Sequence, residues 1–165
     1  MNAEPLTAVI LGAGFAAEGH TVALQHAGVQ VVGMTSRTES TGRSNAKRLG
    51  IPEYDTDWKK ILNQLKPDIV ALATPGGTHR VMGDVALRMG CHVLSDKPLA
   101  TCAKDARYLY ELALSRNLKT AYAASYRYQP QAYLAQRLVA SGVLGKVCEA
   151  EFSAMIIDKP SNEIF

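Results

Sequence analysis

The chain has 165 residues, 47% of them hydrophobic, with 18 Lys and Arg against 15 Asp and Glu for a net charge of +3. That is room for one full domain with part of a second, and ample material for a core. The charges fall in ones and twos and no apolar stretch nears the roughly 18 residues of a membrane span, so nucleic-acid binding, membrane insertion and a secretory leader are not expected.

In chain order, the first apolar run is Ala8–Leu11, followed by a helix-period segment from about Gly14 to Gly28 with Ala16, Ala23, Leu24 and Ala27 on one face. A second run, Val29–Val32, precedes a helical stretch from about Ser40 to Gly50. There Arg43, Lys47 and Arg48 read as one solvated face. After Asp55-Thr56-Asp57, candidate N-cap residues, Trp58, Ile61, Leu62 and Leu65 fall together at helical spacing. The run Ile69–Ala73 leads to a helix after Thr78 with Val81, Val85 and Met89, closed by Gly90. The run His92–Leu94 leads to another after Thr101 with Ala106, Leu109, Tyr110 and Ala113. Short continuous apolar runs suit parallel strands covered on both faces, and their alternation with helices predicts a doubly wound α/β sheet.

After Pro130 the texture changes. Tyr133, Leu134, Leu138 and Val139 predict a helix over Ala132–Ser141, and Gly142 and Gly145 follow it. Cys148, Ala150, Phe152, Ala154 and Ile156 then alternate with Glu149, Glu151 and Ser153, the pattern of a strand with one wet face in an antiparallel sheet. Such a strand opens a second domain completed further along or by another chain, which places the domains at residues 1–127 and 128–165. Cys91, Cys102 and Cys148 are odd in number, lack C-x-x-C spacing and sit in apolar sequence. They read as buried thiols in a reducing compartment, the cytoplasm.

Ligands of a doubly wound sheet bind at the carboxyl ends of its strands. The first end carries Gly12-Ala13-Gly14-Phe15-Ala16-Ala17. Gly12 permits a tight turn, Gly14 lets backbone approach a pyrophosphate, small Ala17 lets helix and strand pack closely, and free N–H groups at the helix start face phosphate. An ordinary strand-to-helix turn is the plainer alternative. The second end, Met34-Thr35-Ser36-Arg37-Thr38, lacks the Asp or Glu that accepts from the ribose 2′-OH in NAD sites. Ser36 and Thr38 offer hydroxyls and Arg37 a cationic fork for a 2′-phosphate, which favours NADP over NAD. Arg43 is a weaker candidate for the same phosphate. The third, Ala73-Thr74-Pro75-Gly76-Gly77-Thr78-His79, joins small residues and a Pro-Gly turn that let backbone pass a flat ligand. Thr78 is placed to cap the next helix, and His79 either approaches the nicotinamide ribose or is structural. The last end, Ser95-Asp96-Lys97-Pro98, places a Lys where burial would strip its ammonium of solvent and lower its proton affinity. Asp96 would orient it, and a surface Lys before a turn is the bland alternative.

These motifs, with Tyr126-Arg127-Tyr128-Gln129-Pro130 and Gly142-Val143-Leu144-Gly145 after them, occur in an order and spacing that resemble the glucose–fructose oxidoreductase / inositol dehydrogenase / MocA family over residues 6 to about 156. The resemblance implies an N-terminal Rossmann domain and a C-terminal α/β domain on an open antiparallel sheet that commonly mediates oligomers. It implies an NAD(P)-dependent transfer of hydride between nicotinamide and a carbinol or carbonyl carbon of a sugar, polyol or related compound. Asp96-Lys97-Pro98 is similar to the family's Glu-Lys-Pro, whose Lys contacts cofactor and substrate and whose Lys–Pro bond is often cis. Arg127 matches an Arg near the substrate pocket, and Ser125 stands where many members carry Asn. The implied catalytic residue is Lys97, and the implied substrate contacts are Lys97 and Arg127. The candidate cofactor contacts are Gly12, Gly14, Phe15, Ala16, Ser36, Arg37, Ala73, Thr74, Pro75, His79, Asp96 and Lys97. The family's partner His, in a downstream Asp-x-x-x-His-type motif, has no counterpart in these 165 residues. A non-catalytic NAD(P)-binding module, or a protein needing a partner chain, is therefore the alternative.

Overall fold

The computed structural model describes residues 4–151 and residue 153. Two compact units divide between Ala124 and Ser125. This is three residues before the expected boundary, which would have cut the 3-10 turn Ser125–Tyr128.

The first unit runs β1 (Thr7–Leu11), α1 (Phe15–His26), β2 (Gln30–Thr35), α2 (Glu39–Leu49), β3 (Glu53–Asp55), α3 (Trp58–Leu65), β4 (Ile69–Leu72), α4 (His79–Arg88), β5 (His92–Ser95), α5 (Ala103–Ser115) and β6 (Thr120–Tyr122). All strand pairs are parallel and the order is β3-β2-β1-β4-β5-β6. The order reverses at β1, whose neighbours β2 and β4 carry the chain to opposite sides. That is the topological switch point at which such sheets bind ligands.

The pleat explains the two cores. Ala8 and Ile10 point to one face and pack with Met34 of β2 and with Ala17, Leu24 and Ala46 of the α1/α2 layer. Val9 and Leu11 point to the other and pack with Ile61, Leu62, Leu87 and Leu109 of the α3/α4/α5 layer. Every one of these side chains is buried, so both faces of β1 are covered, as a continuous apolar run requires. Helix ends follow local chemistry. Asp57 caps α3 by accepting from the backbone N–H groups of Lys59 and Lys60, and Gly50 closes α2 in the left-handed region at φ +68°.

Several expectations need correction. Thr78 does not cap α4 with its side chain, because its hydroxyl donates instead to the Pro75 carbonyl at 2.8 Å. Of the three cysteines only Cys91 is buried; Cys102, just ahead of α5, and Cys148 are exposed. The second unit contains the turn at Ser125–Tyr128 and α6 (Pro130–Ala140). Residues 148–151 form no strand, since none of the described residues pairs with their backbone. Phe152, Ala154 and Ile156, the rest of that expected strand, lie outside the described residues.

Candidate functional site

Because the strands are parallel, all their carboxyl ends lie along one edge of the sheet, where the loops after β1, β2, β4 and β5 meet. The loop after β1 is fixed from three sides. Gly12 has φ +127°, and its N–H donates to the buried Thr35 hydroxyl at 3.1 Å. A Cβ at Gly12 would lie 2.4 Å from the Ala73 carbonyl oxygen, so only glycine lets the tips of β1 and β4 approach this closely. Asn45 of α2 donates its side-chain N–H to the Ala13 carbonyl at 2.7 Å. Asn45 belongs to no motif, and only the fold brings it to the turn.

Gly14 is the N-cap of α1 and makes no side-chain cap bond. A Cβ there would meet nothing within 4 Å, and Phe15 beside it is 96% exposed. The start of α1 therefore has no side-chain cap, and backbone N–H groups at such a helix start can receive an anion. Glu18, in the first turn, pairs with Arg48 at 2.7 and 2.9 Å, and that hydrogen bond holds its carboxyl below the ordinary carboxylate range.

At the end of β2, Ser36 is half-buried and Arg37 exposed. Thr38 is occupied as the N-cap of α2, its hydroxyl accepting from the Thr41 N–H at 3.4 Å. Arg43 donates to Glu39 at 2.9 Å and lies 5.3 Å from the centre of the Tyr54 ring. Glu39 also accepts from the Tyr54 hydroxyl at 3.3 Å and is held below its usual range chiefly by Arg43. Arg37 is thus the cation of this loop that has no acidic partner among the described residues.

Ala73 and Thr74 are half-buried and Pro75 is exposed, followed by a 3-10 turn over Gly76–Thr78. The Thr74 and Thr78 hydroxyls lie 2.7 Å apart and stiffen this turn. His79 is fully buried, with Nε2 2.7 Å from the Thr74 carbonyl oxygen and Nδ1 2.8 Å from that of Pro98. With both nitrogens engaged behind the loop, neither is presented to a ligand. The alternative of a structural histidine is the one the geometry supports.

Asp96 follows β5 and is half-buried; its N–H donates to the Leu72 carbonyl at 2.9 Å, and its carboxylate lies 3.8 Å from His20 of α1. Burial lowers the proton affinity of the His20 imidazole and Asp96 opposes that shift. Lys97 is exposed, contrary to the desolvated position expected for it: β5 ends at Ser95, and Lys97 lies two residues past its end. The Lys97–Pro98 bond is cis. Arg127 belongs to the second unit, is exposed, and lies 5.5 Å from the Tyr128 ring centre. Among the described residues no group of three His, Cys, Asp or Glu could hold a metal, and no helix is long and apolar enough to cross a membrane.

A family described as an oxidoreductase family with an NAD-binding Rossmann fold matches residues 6–123, most of the chain. The chain belongs to the glucose–fructose oxidoreductase / inositol dehydrogenase / MocA family. Family relatives include D-glucoside 3-dehydrogenase of Escherichia coli, 27% identical over 149 residues, 89% of this chain and 42% of that one. Another is D-xylose 1-dehydrogenase (NADP+) 2 of Haloferax volcanii, 29% identical over 133 residues, 80% of this chain and 41% of that one. A solved family structure, GenD2 from gentamicin A biosynthesis in complex with NAD, is 27% identical with a TM-score of 0.79 and covers 87% of this chain and 41% of that one. The chain thus spans less than half the length of these family members.

Proposed function

We propose that this chain is the cofactor-binding part of an NAD(P)-dependent oxidoreductase acting on a CH–OH or carbonyl group of a sugar, polyol or related small molecule. One observation carries the reading. The uncapped start of α1 and the Asp96-Lys97-Pro98 loop both stand on the carboxyl edge of one parallel sheet, at and beside its switch point. The residues fit a dinucleotide: the open space over Gly14 leaves room for a pyrophosphate, and the backbone of Phe15 and Ala16 would bind it. Ser36 and Arg37 would hold the adenosine end, and Ala73, Thr74 and Pro75 would flank the rest. A bound nicotinamide dinucleotide supplies the hydride acceptor or donor. Lys97 would take up or return the hydroxyl proton at Nζ and stabilise a developing alkoxide, with Asp96 orienting its loop. Arg127 would contribute to the substrate pocket.

We assign NADP as the preferred cofactor, with NAD as the weaker ligand, because Arg37, which has no acidic partner among the described residues, stands where NAD sites place a carboxylate. In a fluorescence titration NADPH is expected to bind more tightly than NADH, and Arg37→Ala to narrow the gap by about 1–3 kcal/mol. Equal affinities in the unmodified protein would overturn the preference, and binding of neither would overturn the function. The free thiols favour a reducing compartment such as the cytoplasm, and family membership favours a homo-oligomer formed through the second domain.

The exposure of Lys97 favours a second reading, a cofactor-binding module that turns nothing over alone. NADPH binding without turnover on a panel of polyols and sugars supports that module; turnover supports the enzyme.

A further inference from the structure

The loops after β4 and β5 are locked together beneath the surface that carries Lys97. Gly76 sits against Pro98 so tightly that a Cβ at Gly76 would lie 2.6 Å from the proline Cγ. Behind that contact the fully buried His79 ring spans the gap, with Nε2 facing the Thr74 carbonyl and Nδ1 the Pro98 carbonyl. A neutral imidazole has one N–H and donates to one of these oxygens; the doubly protonated ring donates to both. The Ser95 hydroxyl, 3.3 Å from Nδ1, lies 3.0 Å from the Asp96 carbonyl, to which it can donate when the ring serves Pro98.

We propose that His79 is a positioning residue that ties the Thr74 loop to the Lys97-Pro98 loop and so fixes where Lys97 stands at the cofactor edge. The consequence for Lys97 rests on the functional reading above; the tie between the loops does not. The ring sets one nitrogen against a carbonyl of each loop, and the two contacts are separable by substitution. In His79→Asn the amide nitrogen falls near the former Nδ1 and can still reach Pro98. In His79→Gln it falls near the former Nε2 and can still reach Thr74.

Hydrogen exchange, followed by mass spectrometry on the full chain without cofactor, reads the two loops separately. His79→Asn is expected to speed exchange about tenfold in residues 74–78 and less in 95–99, and His79→Gln to do the reverse, the scale of one lost buried hydrogen bond. Residues of β1 and α1 should exchange as in the unmodified protein in both variants, which a general loss of packing would not allow. The same effect on both loops in both variants, or on neither, overturns the proposal. If His79→Asn or His79→Gln unfolds, Ser95→Ala with Gly76→Ala, which strike the lock from its other sides, replaces it, and the proposal fails if exchange in 95–99 does not rise. NADPH titration of the unmodified protein separates the two ideas. Separable loops without binding sink the functional reading alone, and binding with inseparable loops sinks the clamp alone.

Discussion

Gly12→Ala and Gly14→Ala, two residues apart in one turn, should damage different properties. At Gly12 the backbone lies at φ +127°, a conformation that costs a residue with a side chain about 1–3 kcal/mol. The new methyl would also sit 2.4 Å from the Ala73 carbonyl oxygen and 2.7 Å from its carbon. Both are backbone atoms of the half-buried residue that follows β4, so the end of β4 must shift, at a further cost of about 1–3 kcal/mol. Ala also stiffens the unfolded chain, which offsets about 0.4–1 kcal/mol. The net is a loss of about 1–6 kcal/mol, or a melting temperature lower by about 10 °C for a midrange value. At Gly14, φ is −89° and a Cβ meets nothing within 4 Å, so Ala costs the fold less than about 1 kcal/mol. Its methyl would instead occupy the space over the α1 N–H groups and weaken NADPH binding about tenfold or more, through lost charge-assisted hydrogen bonds. Thermal melts followed by circular dichroism read the first effect and fluorescence titration the second. Equal melting temperatures for the two variants, or NADPH binding by Gly14→Ala as tight as that of the unmodified protein, would refute this division of roles between the two glycines.

Other consequences can be checked more simply. Asn45→Ala removes the bond to the Ala13 carbonyl and should cost about 1 kcal/mol in denaturant unfolding, with weaker NADPH binding because the turn loosens; unchanged values for both would dismiss Asn45 as a support. His20 is held below the ordinary imidazole value of 6.5 by burial, so its unfolded form binds a proton first as pH falls. Its contribution is therefore complete above about pH 6.5 and is lost as pH drops through the lowered native value, and His20→Gln should flatten stability between about pH 7 and 5. An unchanged slope would exclude that role. Burial pushes the Cys91 thiol up, while Cys102 is exposed. A thiol reagent should label Cys102 and Cys148 in the native protein and Cys91 only after unfolding, and rapid native labelling of Cys91 would contradict the packing.

The sheet was readable because its central strands are buried on both faces: Ala8–Leu11 and Ile69–Leu72 had to be continuous apolar runs. The two edge strands escaped for the opposite reason. Glu53-Tyr54-Asp55 and Thr120-Ala121-Tyr122 are three residues each, half-buried or exposed, and carry no apolar signature. At the site, the glycines and the positions of Arg37 and Lys97 were legible because spacing from a strand end fixes where a residue stands. Exposure was not. Lys97 turns out to solvent and His79 turns in, and no local pattern distinguishes a residue pointing over the sheet edge from one beneath it. Asn45 lies 32 residues from its partner in the turn, and that pairing exists only in three dimensions.

The sheet order also bears on how the chain is made. β1 pairs with β2 and with β4, yet β4 emerges from a ribosome about 60 residues after β1, a delay of about 3 to 12 s at ordinary elongation rates. During that interval one full edge of the most apolar strand has no native neighbour, and it is then a template for the same strand on another nascent chain. The Gly12–Gly14 turn follows that strand, whose tip is completed only when Ala73 donates its N–H to the Leu11 carbonyl. Shortening or weakening β4 should therefore show first as loss of soluble yield during synthesis, before any deficit appears in the molecules that do mature.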